Sequence, residues 1–312
     1  MISEKIWSIP YIDQPVSFWN ELSEKYEKYI DEVYLPLPLD VVASGRPIQP
    51  TQHLNEFLKN TSFKLSILVN PIILSRPAEE ISGMIIEKIK EFYGKYNVHS
   101  VTVTNVTLAE KIKKSIPEIM LTASVLMDIF SPNQLEMING IFDILVPSSR
   151  ILRNLPVLSS LKKSFKGSIK IIVNESCLPN CVFRTQHFYE MGTKMEYPES
   201  LCNEILDRNP WLRLTGSWIL PQHIYLYNDV YDKLKLSGRV TLQNPDYYKE
   251  VLDAYVFHKK RFPNKIGGGP ASVKMPMHID DEFFKQILYC NKECNRCTVC
   301  QEKYEEFRKS CG

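Results

Sequence analysis

The stretch KLSILVNPIILSRPAEEISGMIIEKIKEFYGKYNVHSVTVTN (residues 64–105) contains one full strand–helix–strand repeat. Residues 64–70 and 100–105 form short apolar runs, as is typical of parallel strands that helices cover on the outside. Between them, residues 78–96 space their apolar side chains three and four positions apart, which predicts a helix. The repeat therefore indicates an α/β protein with a parallel sheet.

The same order of strand, turn and helical segment recurs along the chain. Further helical patterns cover residues 108–115 and 131–141, and Ser131 is expected to cap the second of these, with Pro132 at its first position. Eight alternating strands favour a TIM-like (β/α)8 barrel, with an open doubly wound sheet as the alternative. No GxGxxG motif follows the first strand, which weakens a dinucleotide-binding version of that sheet. The predicted strands cover residues 32–38, 64–70, 100–105, 119–125, 142–148, 169–175, 211–217 and 231–238.

Length and composition suit one large core, because the chain has 312 residues of which 44% are hydrophobic. We predict a barrel over residues 1–265 and a short cysteine-rich C-terminal extension over residues 266–312. The net charge of +2 does not indicate a broad nucleic-acid surface. The N-terminus lacks the apolar core of a signal peptide, and no stretch reaches the roughly 18 apolar residues of a membrane span. We therefore expect a cytoplasmic protein that does not bind a membrane.

All eight cysteines lie in the second half of the chain, and four of them form one run, CNKECNRCTVC. In a reducing compartment, cysteines set this close together are metal ligands more often than disulfides. The spacing Cx3Cx2Cx2C suits either one 4Fe-4S cluster or one zinc ion, in a redox role or as a staple for the tail. Its first part also matches radical S-adenosylmethionine enzymes, but there the motif follows the first strand and here it follows the eighth. The four residues are Cys290, Cys294, Cys297 and Cys300.

A second cysteine group follows the sixth predicted strand, where the chemistry of a barrel is expected. Cys177, Cys181 and Cys202 are one ligand short of the four that a 4Fe-4S cluster takes. The fourth ligand could be substrate, solvent, His187 or a cysteine of the tail. An open coordination position is typical of a catalytic centre. The spacing allows one shared cluster or two, and Cys311 is a spare thiol.

Polar residues at the predicted strand ends outline a rim suited to a polar ligand. Arg184 and His187 follow Cys181 closely, so they could bind a carboxylate or phosphate and transfer a proton, or merely pair with a rim acid and pack. With Asn174 and Arg239 they are the predicted catalytic residues. The rim comprises Asn70, Asn105, Ser124, Ser148, Asn174, Glu175, Ser217 and Arg239.

Two segments carry a resemblance to a known family. MLTASVLMDIFSPNQLEMINGIFDILVPSSRILRNLPVL (120–158) is similar to the barrel core of the collagenase-like peptidase family, and DKLKLSGRVTLQNPDYYKEVLDAYVFHKKRF (232–262) resembles its Gly-Arg segment. The match covers residues 64–260. The resemblance implies a TIM-like barrel, a 4Fe-4S cluster as in several members, and oxygen-independent hydroxylation of RNA bases or quinone precursors as in others. By position, Arg239 is the family's Gly-Arg arginine, and Cys177, Cys181 and Cys202 occupy its cluster region.

The chain also departs from the family pattern. Ser237 replaces the glutamate that precedes Gly-Arg, the spacing from Cys177 to Cys181 is closer, and the tail motif is not part of the pattern. These differences indicate a divergent member whose substrate need not follow the family.

Three functions are compatible with these features of the sequence. The first is an iron–sulfur enzyme for an oxygen-independent oxidation or hydroxylation of an anionic small molecule, a peptide or an RNA base, working with an electron donor. The second is a non-catalytic iron–sulfur or zinc scaffold beside a paralogous partner subunit. A peptidase is the least favoured, because no motif provides a water-activating metal with a general base, or a nucleophile elbow. An enzyme should have a polar pocket beside the cysteines, and a scaffold a broad apolar patch.

Overall fold

The computed structural model describes residues 5–39, 44–46, 51–138, 140–175, 177–193, 201–239, 242–258 and 279–310. In this part of the chain, eight parallel strands pair in sequence order, and β8 pairs back to β1, so that the sheet closes into a barrel. The predicted TIM-like (β/α)8 fold is therefore confirmed. The strands are β1 (Trp7–Pro10), β2 (Ile30–Pro36), β3 (Leu65–Val69), β4 (Val98–Val103), β5 (Met120–Ala123), β6 (Ile144–Leu145), β7 (Ser168–Ile172) and β8 (Lys233–Lys235).

Helices cover the outside of this barrel. In α3, Ile81, Ile85, Ile89 and Phe92 repeat at helical spacing and are all buried. Short 3-10 helices replace α-helices between β5 and β6, and Ser131 and Pro132 begin one of them as the sequence predicts. The helices are α1 (Val16–Tyr26), α2 (Leu54–Asn60), α3 (Ala78–Lys95), α4 (Val106–Ser115), α5 (Leu155–Ser164), α6 (Arg184–Thr193), α7 (Leu201–Arg208), α8 (Pro245–Val256), α9 (Asp281–Leu288) and α10 (Val299–Ser310).

The hydrophobic core lies between strands and helices, whereas the barrel interior is polar. Alternate strand residues such as Ile67, Val101 and Ile171 belong to the buried apolar cluster that also contains the inner faces of the helices. Lys170 of β7 reaches across the interior to Glu32 of β2, and both side chains are 1% exposed. The Ser8 hydroxyl donates to Glu32 at 2.6 Å. Polar side chains thus form a connected layer inside the barrel, whereas apolar side chains such as Leu68 and Ile172 contribute to the lining nearer the mouth.

One predicted strand is wrong and one real strand was not predicted. Residues 211–217 fall largely in a 3-10 helix, Pro210–Thr215, in which Pro210 occupies the first position and the Thr215 hydroxyl donates to the Leu212 carbonyl at 2.7 Å. The first strand is instead β1, whose four residues are too few to form a recognisable apolar run. The total of eight strands is correct because these two differences cancel.

The described part of the tail is attached to the barrel through α9. Phe283 and Phe284 are buried in the main hydrophobic cluster, and the Asp280 carboxylate accepts the Phe283 amide at 2.7 Å, which caps the helix. The proposed boundary at residues 265 and 266 lies outside the described residues, so the division into a barrel and a tail remains a prediction. Within the described ranges, no helix is both long and apolar enough to cross a membrane.

Candidate functional site

The ends of β7 and β8 are held together by one side chain, Asn174. Its amide nitrogen donates to the Ser237 carbonyl at 2.8 Å, and its oxygen accepts the Ser237 amide at 2.7 Å. Gly238 follows with a φ of 130°, a backbone conformation that favours glycine, and turns the chain so that Arg239 lines the barrel mouth. The Gly-Arg sequence therefore has a structural reason: the glycine positions the arginine.

The residues of the predicted second cysteine group do come together. Cys177, Cys181 and Cys202 line one small cavity of about 30 Å³, and Arg184 and His187 line it with them. Cys177 and Cys181 lie in the loop after β7, and the two other predicted site residues belong to α6. Five residues that the sequence analysis grouped thus line one cavity, although Cys177 and Cys202 are 25 positions apart.

Two polar groups in this cysteine cavity are buried without partners. Arg184 is 6% exposed, and neither of its terminal nitrogens has a hydrogen-bond partner among the described residues. Its guanidinium lies over the Phe188 ring, 4.9 Å from the centroid. Nε2 of His187 is likewise buried and unpartnered. A buried unpaired cation is costly, so an anionic group in the cavity fits this arrangement.

Two thiols of this group, those of Cys177 and Cys181, have raised pKa values. Burial raises the pKa of Cys177 well above its usual range, and Glu175 adds to the shift while Arg184 opposes it. Burial also raises the pKa of Cys181. Coordination to a metal removes the proton of a thiol, and the resulting negative charge would supply the anion that Arg184 lacks. The residues therefore fit a thiolate-bound metal group.

The four cysteines of the tail line a second cavity, of about 690 Å³, together with Arg153, Trp211 and Tyr289. Arg153 is 4% exposed and donates to the carbonyls of Leu214 at 3.1 Å and Trp218 at 3.4 Å, while its Nε is buried without a partner in the described structure. Burial raises the pKa of Cys300 to about 11, and the other tail cysteines contribute to the shift. An arginine thus lies beside each cysteine group.

Neither cysteine group has the compactness of a closed zinc site. Among the described residues, Asp31, Glu32 and His99 form the group whose ligand atoms all lie within 4.8 Å of one another. Salt bridges to Lys170 and Lys233 occupy its two carboxylates, so it is an ion-pair network. Tetrahedral zinc with bonds of about 2.3 Å holds its sulfurs roughly 4 Å apart. A 4Fe-4S cluster binds each thiolate through a different iron and so tolerates a wider arrangement.

The two cysteine cavities share a wall. Leu178 lines both of them, and Pro179 and Asn180 continue from it into the larger one. The loop between Cys177 and Cys181 therefore lies between the two groups of thiols. The sequence allowed such proximity without indicating it. Cys311 lies outside the described residues.

The mouth of the barrel forms a third cavity, of about 70 Å³, which we call the mouth pocket. Arg239 donates to the Ser44 hydroxyl at 3.0 Å, and the Glu175 carboxylate accepts the Cys177 amide at 3.1 Å, which connects the pocket to the cysteine cavity. The polar residues that line the mouth pocket are Tyr34, Ser44, Arg46, Asn70, Glu175, Lys235, Ser237 and Arg239.

Several rim residues that the sequence singled out serve the backbone. The side chains of Asn105, Ser124 and Ser148 each accept a backbone amide at the beginning of a helical segment. Ser217 donates to the Ser149 carbonyl at 2.8 Å. Conversely, sequence analysis missed Arg46, Arg153 and Lys235. The alternation of Lys233 and Lys235 in β8 was the available signal, but it resembles a solvent-facing strand.

Comparison with known proteins supports the family resemblance. The chain is 22% identical over 332 aligned positions to an uncharacterized protease of Methanocaldococcus jannaschii, covering 97% of this chain and 96% of that protein. The solved structure of a U32 peptidase superposes with a TM-score of 0.54 at 13% identity, covering 76% of this chain and 93% of the other, which shows the shared fold. No family model matches the chain. These similarities are consistent with a member of the collagenase-like peptidase family.

Proposed function

We propose that this protein is an iron–sulfur enzyme in which Cys177, Cys181 and Cys202 hold a 4Fe-4S cluster beside the barrel mouth. The observation that carries the proposal is the buried Arg184 guanidinium, whose terminal nitrogens have no partner in the described structure although it lies among three cysteines. Bound at this position, such a cluster would accept electrons from the substrate one at a time. The reaction we propose is an oxygen-independent oxidation or hydroxylation, as the family resemblance implies.

The residues around the cluster position have distinct roles in this proposal. Arg184 balances the negative charge of the thiolates, and His187 holds or releases a proton at Nε2. Arg239 and its neighbours in the mouth pocket orient the substrate. Because Glu175 lines the mouth pocket and binds the Cys177 amide, a substrate there lies next to the cysteine loop.

The tail cysteines would hold a second group that exchanges electrons with the first, in keeping with the wall that the two cavities share at Leu178. Arg153 would balance its charge as Arg184 does in the first cavity. Zinc remains the alternative at Cys290, Cys294, Cys297 and Cys300, in which case the site would act as a staple for the tail.

A polar pocket beside the cysteines favours an enzyme over a scaffold. The mouth pocket contains two arginines, a lysine and a carboxylate, in a volume that suits a small polar group. A scaffold would need a broad apolar contact surface instead. The proposed substrate is an anionic small molecule, peptide or RNA base.

A peptidase is the second candidate, because the curated relative is named a protease and the solved neighbour a U32 peptidase. A cysteine peptidase would need a thiolate beside a histidine, and His187 does line the cavity of Cys177 and Cys181. Burial, however, raises the pKa of both thiols, the opposite of an activated nucleophile.

The test is to purify the protein without oxygen and to count iron, sulfide and zinc per chain. We expect about eight iron and eight sulfide in the wild type, since each 4Fe-4S cluster contains four of each. Cys181→Ser and Cys297→Ser should each retain about half, and Cys311→Ser should retain all. One zinc without iron, or an iron content that Cys181→Ser leaves unchanged, would overturn the proposal. Hydrolysis of casein or a peptide library by the same preparation would support the peptidase.

A further inference from the structure

Lys235 lines the mouth pocket, and no carboxylate among the described residues forms an ion pair with it. It belongs to β8, and its ammonium lies over the Tyr34 ring, 4.0 Å from the centroid. Within the described ranges, Nζ makes no hydrogen bond, and no carboxylate oxygen lies within ion-pairing distance of it. By contrast, Lys233, two residues earlier on the same strand, is paired with Asp31.

The surroundings of Lys235 are dominated by positive charge. Arg46 and Arg239 line the same pocket, with Glu175 as the one carboxylate among the described lining residues. Deeper in the barrel, Lys170 adds a further positive charge, and its partner Glu32 is already engaged by Lys170 and Ser8. Tyr34 contributes its ring and donates its hydroxyl to the Leu236 carbonyl at 2.8 Å. The mouth pocket is therefore short of negative charge.

We propose that the mouth pocket binds the carboxylate or phosphate group of the substrate, and that binding of this anion places a proton on Lys235. The volume of about 70 Å³ is sufficient for one such group, since a water molecule occupies roughly 30 Å³ in the liquid. Planar guanidinium groups such as those of Arg46 and Arg239 suit either oxyanion. A larger substrate would extend outwards from the pocket toward the cysteine loop.

The protonation state of Lys235 agrees with this arrangement. Burial lowers its pKa to about 7, the charges of Lys170, Arg239 and Arg46 lower it further, and Glu32 opposes them. Near neutral pH the amine is thus partly uncharged while the pocket contains no anion. A bound anion favours the charged form, so it raises the pKa and draws a proton from solvent. Binding should accordingly weaken as the pH rises above 7.

This inference deepens the proposed function, because it names the chemical class of substrate at the same site, but its test does not need the cluster. Uncharged lysines react with formaldehyde, and cyanoborohydride reduces the resulting imine to a methylamine, which peptide mass spectrometry can measure residue by residue. The cluster-free wild-type protein would be labelled briefly between pH 6 and 9. Lys233, from the same strand, is the matched control.

We expect Lys235 to be methylated at least tenfold faster than Lys233 at pH 7, with a midpoint near pH 7. Sodium sulfate or sodium acetate should slow the labelling of Lys235 at least fivefold at that pH, compared with sodium chloride at equal ionic strength. Protection by sulfate alone would indicate a phosphate-bearing substrate, and protection by acetate alone a carboxylate. No protection by either salt, or equal labelling of the two lysines, would overturn the inference.

A second variant tests the pocket itself. Arg46→Gln removes one of the cations that would bind the anion, so it should reduce the protection by the effective salt at least threefold. Arg308→Gln, on an exposed part of α10, should leave the protection unchanged. If the protection falls equally in both variants, or falls in neither, a specific anion site is contradicted. Iron content is measured separately on the protein purified without oxygen, so that failure of the anion site and failure of the cluster proposal can be told apart.

Discussion

Arg184 and Arg153 are buried in similar settings, one beside each cysteine group. Each lies over an aromatic ring, Arg184 over Phe188 at 4.9 Å and Arg153 over Trp218 at 4.2 Å. Arg153 keeps two hydrogen bonds to carbonyls, whereas the terminal nitrogens of Arg184 have no partner in the part of the chain that is described. Removing Arg184 should therefore affect the ligand of its cavity more than the fold.

The first prediction concerns the variant Arg184→Gln. A hydrogen bond to a charged group is worth about 1.5–3 kcal/mol, so loss of the guanidinium should weaken metal retention about tenfold or more. Iron per chain would be followed during competition with a chelator. Arg208→Gln, which removes a 72% exposed arginine of α7, is the control. If both variants lose iron at the same rate, Arg184 does not contact the cluster.

The second prediction concerns the ion pair inside the barrel. Burial by itself would raise the pKa of Glu32, but Lys170, His99 and Ser8 hold it below its usual range. Lys170→Met would leave a buried carboxylate without its partner, which should cost about 3–5 kcal/mol of unfolding free energy in urea. The double variant with Glu32→Leu should recover most of this loss.

An exposed pair provides the control for that cycle. On α3, Nζ of Lys88 lies 2.7 Å from Oε2 of Glu91, and the two side chains are 28% and 51% exposed. Lys88→Met should therefore change stability by no more than about 0.5 kcal/mol. A similar loss of unfolding free energy in Lys88→Met and Lys170→Met would show that burial does not make the interior pair more important for stability than an exposed one.

At the level of elements, sequence patterns located the long segments well and the short ones poorly. The predicted helices at residues 78–96 and 108–115 correspond closely to α3 and α4, because their apolar side chains cover one face over several turns. The sequence predicts a strand over residues 211–217, within which Leu212, Arg213 and Leu214 alternate in polarity. Pro210 and the back-bonded Thr215 favour a helical turn there, and local hydrogen bonding overrode the alternation.

The sequence also predicts only part of the candidate site, although for a different reason. Three cysteines, an arginine and a histidine were identifiable because few other roles suit that grouping. Lys235 was not identifiable, since alternation in a strand does not tell which face is outward. In this barrel the polar face points inward, and only the closed sheet shows that Lys170 reaches Glu32 across the interior.

The third prediction concerns the attachment of α9 to the barrel. His223 is fully buried, stacks on Phe284 with the ring centroids 4.0 Å apart, and lies 3.1 Å from Asp281. Burial lowers the pKa of His223 to about 4, although Asp281 opposes the shift. The unfolded chain therefore binds a proton at His223 more tightly than the folded protein does. The resulting stability is present above about pH 6.5 and is lost as the pH falls toward 4.

His223→Phe keeps an aromatic ring against Phe284 and removes the titration. Between pH 7 and 4, the wild type should lose about 3 kcal/mol more unfolding free energy than this variant. Urea unfolding at several pH values would measure the difference. His53→Asn, at the partly exposed beginning of α2, should keep the slope of the wild type. Equal slopes in all three proteins would exclude His223 as the source.

At the scale of the whole molecule, the tail divides into a firmly attached part and a part that depends on its cysteines. Four residues of α9 are buried in the core, namely Phe283, Phe284, Ile287 and Leu288. In α10, Phe307 is at the border of burial, and the Lys303 ammonium reaches Asp280 at 3.1 Å. Between these helices Cys290, Cys294 and Cys297 are exposed. A metal group there would fix α10 relative to α9.

The fourth prediction follows from this division. Cys297→Ser, or removal of the tail metal by a chelator, should accelerate amide hydrogen exchange in residues 290–310 at least tenfold, because local opening then costs less free energy. Exchange in α9 and in the barrel strands should stay as in the loaded protein, since their burial does not depend on the tail cysteines. Cys181→Ser is the matched variant and should leave residues 290–310 protected. Faster exchange throughout the barrel would instead show that the tail metal stabilises the whole fold. The helix α10 also packs against the 3-10 helix Pro210–Thr215, and unchanged exchange in α10 would show that this packing is sufficient to hold it.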